Sequence, residues 1–261
     1  MPGLTITFLG TGTSLGVPVI GCDCQVCRSE DTRDKRTRSS IYVESAECAF
    51  VIDTGADFRT QCLRENIRRV DAVIYTHSHT DHIMGFDDLR PFCFRRDRDL
   101  PIYASAQTMK DLQRAFAFAF DGNNRFPGYL RPEPHIVEGP FFLGDTKITP
   151  LPVQHGRFEV LGFLFSRAGE KCAAYLSDCK KVPEDVLHTI RGTNVLIVDA
   201  LRHRPHPTHF SVSEALDFAR RAEIRSSTWF THLCHEVAHA PLEQELPAGV
   251  RVGYDGLTIE V

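Results

Sequence analysis

The stretch THSHTDH, residues 76 to 82, concentrates metal-ligating side chains directly after the apolar run DAVIYT. It holds His77, His79, Asp81 and His82 within seven positions. In an extended loop, residues two apart project the same way, so the first two histidines can face one ion and the next pair its neighbour. Imidazole and carboxylate are donors for zinc, manganese and iron, and two-metal hydrolytic sites hold their ions about 3.5–4 Å apart. The stretch therefore predicts half of a binuclear site.

Further candidate ligands stand where other apolar runs end. The runs LPVQH, AAYLSD and STWFTH end at His155, Asp178 and His232, and the runs AFVID and VLIVD end at Asp53 and Asp199. Residues at the ends of buried strands are held by a rigid sheet and face the loop region. We therefore expect these side chains to converge on one edge of the core.

A second group of donors lies in the loop GCDCQVC, which places Cys22, Cys24 and Cys27 within one turn. The chain has nine cysteines and opens without an export signal, so we expect a reducing compartment rather than a disulfide framework. Clustered thiolates in that setting favour metal. A tetrahedral zinc site needs a fourth donor, for which the candidates are Cys234 and His235.

The segment RHRPHPTHF, residues 202 to 210, offers His203, His206 and His209 as groups that could move a proton. Its prolines prevent regular structure, so it can lean over a site. An imidazole, with an ordinary pKa of about 6.5, suits a proton donor to a leaving group. Asp81 can also accept a proton from an attacking water while it binds metal.

The elements that must position these residues have a mixed α/β pattern. Short β-like runs alternate with helix-like segments, which include FRTQCLREN, AQTMKDLQRAFAFAF, PEDVLHTI and VSEALDFARRAE. With 261 residues, 42% of them hydrophobic, the chain is expected to form a single domain over residues 1–261. The Gly-, Pro- and Asn-rich segment 119–140 is predicted to be a surface excursion.

Charge and hydropathy exclude some functions. The formal net charge of -4 does not favour tight binding to long nucleic acid. No apolar run approaches the roughly 18 residues of a membrane span. We therefore expect a cytoplasmic protein.

The motif HxHxDH, followed by isolated His, Asp and His, resembles the metallo-β-lactamase superfamily. That resemblance implies an αββα sandwich, with two packed mixed sheets flanked by helices. It also implies that His77, His79 and His155 bind one divalent metal ion and that Asp178 bridges to a second. The second ion would be held by Asp81, His82 and His232. Asp53 matches a position at which a carboxylate orients the HxHxDH loop.

A narrower resemblance is carried by LGTGTS, the CxCxxC loop and RHRPHPTHFS. These stretches are similar to the cyclic phosphodiesterases associated with carbon–phosphorus lyase, which are related to the tRNA 3′-processing endonucleases. The resemblance implies a structural zinc held by Cys22, Cys24, Cys27 and His235, and it places His209 near the scissile phosphate. It further implies hydrolysis of 5-phosphoribosyl 1,2-cyclic phosphate by an enzyme with two zinc or manganese ions. Homodimers are common in that subgroup.

Two other functions remain open from the sequence. A tRNA 3′-processing endonuclease would use the same chemistry, but those enzymes grip tRNA with a long basic arm, which this sequence lacks. A non-hydrolytic metal or redox module is the other alternative. Di-iron relatives of that kind replace the second histidine of HxHxDH by glutamate and carry a flavin domain, whereas this chain has His79.

Overall fold

Two seven-stranded mixed sheets form the centre of the protein in a computed structural model that describes residues 3–94, 99–122 and 128–261. The first sheet contains β1 (Thr5–Gly10), β2 (Ser40–Glu44), β3 (Ala49–Ile52), β4 (Ala72–Ile74), β5 (Leu100–Ala104), β6 (Pro132–Ile136) and β14 (Thr258–Glu260). The second contains β7 (Phe141–Leu143), β8 (Thr146–His155), β9 (Phe158–Arg167), β10 (Glu170–Leu176), β11 (Val195–Asp199), β12 (Ser227–Thr231) and β13 (Val250–Val252). The spatial orders are β14-β1-β2-β3-β4-β5-β6 and β13-β12-β11-β10-β9-β8-β7.

Helices cover the outer face of each sheet. Four pack on the first sheet: α1 (Phe58–Arg64), α2 (Thr80–Ile83), α3 (Ala106–Ala115) and α4 (Ala117–Phe120). Three pack on the second: α5 (Glu184–Ile190), α6 (Val212–Arg221) and α7 (His239–Glu245). Two 3-10 helices, Thr32–Asp34 and Phe86–Cys93, lie in connections.

The inner faces of the sheets pack against each other. Phe50 of β3 and Phe165 of β9 meet at a ring-centroid distance of 5.7 Å, and both side chains are buried. Alternate residues of a strand point to opposite faces, so each sheet contributes one apolar face to this centre and one to its helices. The predicted αββα sandwich is confirmed.

All four predicted helical segments contain helices, and two predictions about the chain need correction. The pattern over residues 106–120 forms two helices, because Phe116 leaves helical geometry with φ -121° and ψ 40°. The prediction of a surface excursion over residues 119–140 is wrong in part, because β6 lies within it; residues 123–127 are outside the described ranges. The prolines at positions 132 and 134 fit β6 because it is an edge strand.

The direction of the strands brings the candidate residues to one edge. Strands β3 and β4 are parallel, as are β10, β11 and β12, and β8 runs in the same direction as β10 because both are antiparallel to β9. Their carboxyl ends meet where the two sheets adjoin, as the backbone bond from Leu161 N–H to the Thr76 carbonyl shows (3.0 Å). In the described ranges, no helix has the length and apolar character to cross a membrane.

Candidate metal centre and active site

The first group of donor atoms combines His77, His79, His155 and Asp178, whose ligand atoms all lie within 4.8 Å of one another. His77 follows β4 by three residues, and His79 precedes the first residue of α2. His155 is the last residue of β8, and Asp178 follows β10 by two residues. Nε2 of His77 lies 2.9 Å from Nδ1 of His79, so these two atoms face the same point.

The second group combines Asp81, His82, Asp178 and His232. Nε2 of His82 lies 3.3 Å from Oδ2 of Asp81 and 3.3 Å from Oδ1 of Asp178, and the same Oδ1 lies 3.2 Å from Nε2 of His232. Donors held 2.0–2.1 Å from a tetrahedral ion are separated by roughly 3.3 Å. The spacing of this group therefore fits a single ion.

Asp178 belongs to both groups and directs one oxygen toward each. Oδ1 faces His82 and His232, whereas Oδ2 lies 4.0 Å from Nε2 of His77 and 3.8 Å from Nε2 of His155. The carboxylate is 3% exposed and lies between the two groups. A carboxylate in this position is suited to bridge two neighbouring ions.

The unpartnered polar atoms of the second group also fit a metal. Nε2 of His82, Nε2 of His232 and Oδ1 of Asp178 are buried without a hydrogen-bond partner among the described residues. Buried polar atoms are nearly always partnered, so three such atoms at one point need an explanation. A divalent ion that accepts the lone pairs of these three atoms would explain why they have no hydrogen-bond partner.

The electrostatic environment of most of these side chains favours the protonation state in which they can bind a metal ion. Burial lowers the pKa of His77, His79, His155 and His232, which favours the neutral imidazole that a metal ligand requires. Burial would raise the pKa of Asp178, but the imidazoles of His232 and His82 more than offset it and hold that pKa well below its usual range.

His82 differs from the other imidazoles because carboxylates lie on both of its sides. Burial opposes its positive charge, but Asp178 and Asp53 raise the pKa of His82 well above its usual value. Cationic charge is therefore favoured between two buried carboxylates. A divalent ion on the Nε2 side of the ring would supply the same charge.

Asp53 supports the HxHxDH loop as expected. Its Oδ1 accepts the Thr76 backbone N–H (2.8 Å), and its Oδ2 lies 2.7 Å from both the Thr76 hydroxyl and Nδ1 of His82. These contacts leave Nε2 of His82 directed at Asp178. The turn that follows Asp53 requires a glycine at position 55, because a Cβ on Gly55 would lie 2.1 Å from the Asp81 carbonyl oxygen.

Replacing Asp53 with Asn is expected to weaken metal binding by about 10- to 100-fold, the usual effect of removing a partner behind a metal-ligating histidine. The amide has one oxygen, so an NH2 group must face either the Thr76 N–H or the pair formed by Nδ1 of His82 and the Thr76 hydroxyl. Competition with a fluorescent chelator measures the affinity. The exposed Asp217→Asn variant is the matched control, and equal affinity in the two variants would contradict this role.

Two supporting groups were not anticipated from the sequence. The Thr76 hydroxyl lies 2.9 Å from Nδ1 of His77, and Nδ1 of His155 lies 2.9 Å from the Thr208 carbonyl oxygen. Both contacts orient Nε2 of the histidine toward the first donor group. The carbonyl contact joins residues 53 positions apart and leaves no sequence signal, because any residue type supplies a carbonyl.

His209 lies beside both donor groups. Its ring stacks on His232 at 4.7 Å and meets the ring of His155 edge-on at 4.6 Å. Its Nδ1 lies 2.7 Å from Oδ2 of the fully buried Asp199. Burial lowers the pKa of His209 and raises that of Asp199. His206 lies at the rim, 5.1 Å from His209 between ring centroids, and His203 is exposed.

The cysteine loop meets His235. Nδ1 of His235 lies 3.2 Å from Sγ of Cys22, 3.5 Å from Sγ of Cys24 and 3.6 Å from Sγ of Cys27. Sulfur and nitrogen donors of one tetrahedral zinc are separated by roughly 3.5 Å, so the four side chains fit such an ion. Cys234 is not in this group; its Sγ accepts the Glu236 N–H at 3.4 Å.

The backbone N–H of Cys27 favours the thiolate in this cluster. It lies 3.4 Å from Sγ of Cys24 and lowers the pKa of the Cys24 thiol to about 6. Burial raises the pKa of Cys27 to about 11. The protein alone therefore favours the thiolate of Cys24 and disfavours that of Cys27, and a cation at the centre of the cluster would stabilise the thiolate form of the cysteines that bind it.

The model of the β-lactamase superfamily domain matches residues 49–233. The match begins at β3 and ends just after β12, so it includes both groups of His and Asp donors. The fold and the site together define a metal-dependent hydrolase with the metallo-β-lactamase architecture.

The chain is also similar to individual relatives. A crystal structure of a new diphosphatase from the PhnP family is 40% identical, with a TM-score of 0.91 over 99% of this chain and 97% of that one. An octanoyltransferase of Porphyromonas gingivalis strain W83 is 38% identical over 258 residues, and the chain spans 50% of its length. Zinc-bound PqqB of Methylobacterium extorquens shares the fold at 19% identity, with a TM-score of 0.76 over 98% of this chain and 100% of that one. The chain therefore belongs to the β-lactamase superfamily and, within it, to the PhnP family.

Proposed function

We propose that this protein hydrolyses a small cyclic phosphodiester such as 5-phosphoribosyl 1,2-cyclic phosphate, with two zinc or manganese ions at the paired His and Asp donors. The observation that carries the proposal is the position of Asp178, with one oxygen toward each group. A structural zinc at Cys22, Cys24, Cys27 and His235 belongs to the same proposal.

The donor set defines what the site contributes. When bound, two divalent ions lower the pKa of a water molecule and neutralise negative charge on the phosphoryl oxygens. Asp81 has a second role, because its 8% exposed carboxylate can accept a proton from the attacking water. The water oxygen forms a bond to phosphorus while the bond from phosphorus to the leaving alkoxide breaks.

His209 supplies the proton that the leaving alkoxide needs. His209 donates as the imidazolium: the contact between its Nδ1 and Asp199 fixes the ring, and the proton on Nε2 is the one that passes to the alkoxide, which leaves a neutral imidazole. Asp199 is a positioning residue that also stabilises the protonated imidazole, as in other carboxylate–histidine pairs.

A cavity of about 230 Å³ adjoins His209 and supports a small substrate. Thr13, Ser14, Leu15, Arg202 and His206 line it together with His209 and His232. The volume lies below the ~300–1,000 Å³ of pockets for drug-sized ligands. A phosphorylated pentose is a ligand of the size that this space can hold.

A phosphorus NMR assay tests the proposed substrate class. We expect the signal of 5-phosphoribosyl 1,2-cyclic phosphate to convert to that of a monoester with manganese- or zinc-loaded protein and to persist with the Asp178→Ala variant. Persistence with fully metal-loaded wild-type protein would contradict the substrate. Cleavage of a precursor tRNA at low enzyme concentration would instead support the RNA alternative.

Hydrolysis of a diphosphate bond is a second candidate, favoured by the 40% identical relative described as a diphosphatase. The same donor groups serve a phosphoanhydride, whose leaving phosphate needs less protonation than an alkoxide does. ADP-ribose and ADP in the same NMR assay distinguish the two candidates. Faster turnover of either compound than of the cyclic phosphate would favour the diphosphatase.

A further inference from the structure

The segment between β11 and α6 carries His209 at one side of a closed loop. Backbone bonds join its two sides at the base: Leu201 N–H to the Phe210 carbonyl at 2.9 Å and Val212 N–H to the Arg202 carbonyl at 2.9 Å. The base is therefore fixed by the strand and the helix. The tip, residues 203–208, reaches the site at Thr208, whose carbonyl oxygen lies 2.9 Å from Nδ1 of His155, and needs other contacts to hold its position.

One carboxylate holds both cationic side chains of this loop. Oε1 of Glu236 accepts from Nη1 of Arg202 at 2.8 Å, and Oε2 accepts from Nη2 and Nε of Arg204 at 2.7 and 3.2 Å. The Arg202 guanidinium also reaches the carbonyl oxygens of Arg204 (3.4 Å) and Pro205 (3.5 Å). Glu236 thereby joins Arg202 to Arg204, and Arg202 in turn contacts the backbone of the tip.

Glu236 is connected to the cysteine cluster through the backbone. It directly follows His235, whose Nδ1 meets the three thiols, and its own N–H donates to Sγ of Cys234, which lies outside the cluster. On the other side of the loop, the Thr208 carbonyl is held by His155. The tip is thus held on one side by His155, which belongs to the first donor group, and on the other by Glu236, which follows His235 of the cysteine cluster.

We propose that Glu236 is a positioning residue for His209, through which the cluster of Cys22, Cys24, Cys27 and His235 sets the place of the proton donor. The inference rests on the proposed function, in which His209 protonates the leaving group. Exposed ion pairs contribute little to global stability, and the Glu236 side chain is 32% exposed. Its removal should therefore shift the loop without unfolding the protein.

The Glu236→Gln variant tests this proposal with two substrates. We expect kcat to fall roughly 10-fold or more for a cyclic phosphate with an alkoxide leaving group, since a displacement of about 1 Å of a catalytic group has large effects. Turnover of bis(p-nitrophenyl) phosphate should change little, because p-nitrophenolate leaves without a proton. Metal content should stay at the wild-type value, and hydrogen exchange over residues 203–209 should become faster.

The matched control is Glu184→Gln, which removes a charge paired with Arg221 on the surface of α5. In the His209→Ala background, Glu236→Gln should add no further loss with the cyclic phosphate. Equal losses with both substrates, or additive losses in the double variant, would overturn the proposal. A His209→Ala variant that loses activity equally with both substrates would instead remove the proposed role of His209, and this inference with it.

Discussion

Replacing Asp178 with Ala is expected to reduce turnover by at least three orders of magnitude. Metal ions supply several kcal/mol of transition-state stabilisation, and about 4 kcal/mol corresponds to a factor of about 1,000. Asp178 is the one side chain shared by both donor groups, so its loss should weaken metal binding at both. Metal content by plasma mass spectrometry and turnover of the cyclic phosphate are the two measurements.

The exposed Asp185→Ala variant on α5 is the matched control and should retain both metal and activity. Circular dichroism should show the same fold in both variants. A variant at Asp178 that keeps two equivalents of metal and near wild-type turnover would remove the bridging role from this carboxylate. Loss of a single equivalent would assign Asp178 to one ion only.

Replacing His209 with Ala is expected to reduce kcat for the cyclic phosphate by about 100-fold or more, the usual contribution of a positioned acid. The substitution leaves the seven His and Asp donors in place, so metal content should not change. The loss should be much smaller for bis(p-nitrophenyl) phosphate, since that leaving group needs no proton. Steady-state kinetics with both substrates measures the difference.

The control for this variant is His203→Ala, in the same loop but exposed. It should keep wild-type kinetics with both substrates. Unchanged turnover of the cyclic phosphate by the His209→Ala variant would show that another group protonates the leaving alkoxide. His206, whose ring lies 5.1 Å from that of His209, would be the next residue to replace.

Local spacing in the sequence was sufficient to predict which residues of the HxHxDH motif belong to which donor group. His77 and His79 fall in one donor group, whereas Asp81 and His82 fall in the other. An extended segment leads into the short helix α2 at this point, so neighbours in the chain are directed to different places by backbone geometry alone. The strand-end positions of His155, Asp178 and His232 were predictable for a related reason, since apolar runs mark buried strands.

Pairings between distant residues depended on the tertiary structure. The sequence placed Asp199 at a strand end but did not name its partner, and parallel pairing of β10, β11 and β12 brings it to His209. The choice of His235 over Cys234 came from family resemblance, and the structure places the imidazole, rather than the thiol, beside the other three donors. The spacing of those two adjacent residues could not decide between them.

The sequence by itself determined the donor types, the mixed α/β pattern and the edge at which the donors gather, because apolar periodicity and local spacing act over a few residues. The αββα layers were implied by the resemblance of the HxHxDH motif to the metallo-β-lactamase superfamily. Only the tertiary structure decided which oxygen of Asp178 faces which group, and how Glu236 holds the loop that carries His209. Those contacts depend on strand register and on the packing of one sheet against the other. They join residues that are far apart in the chain, so no local pattern records them.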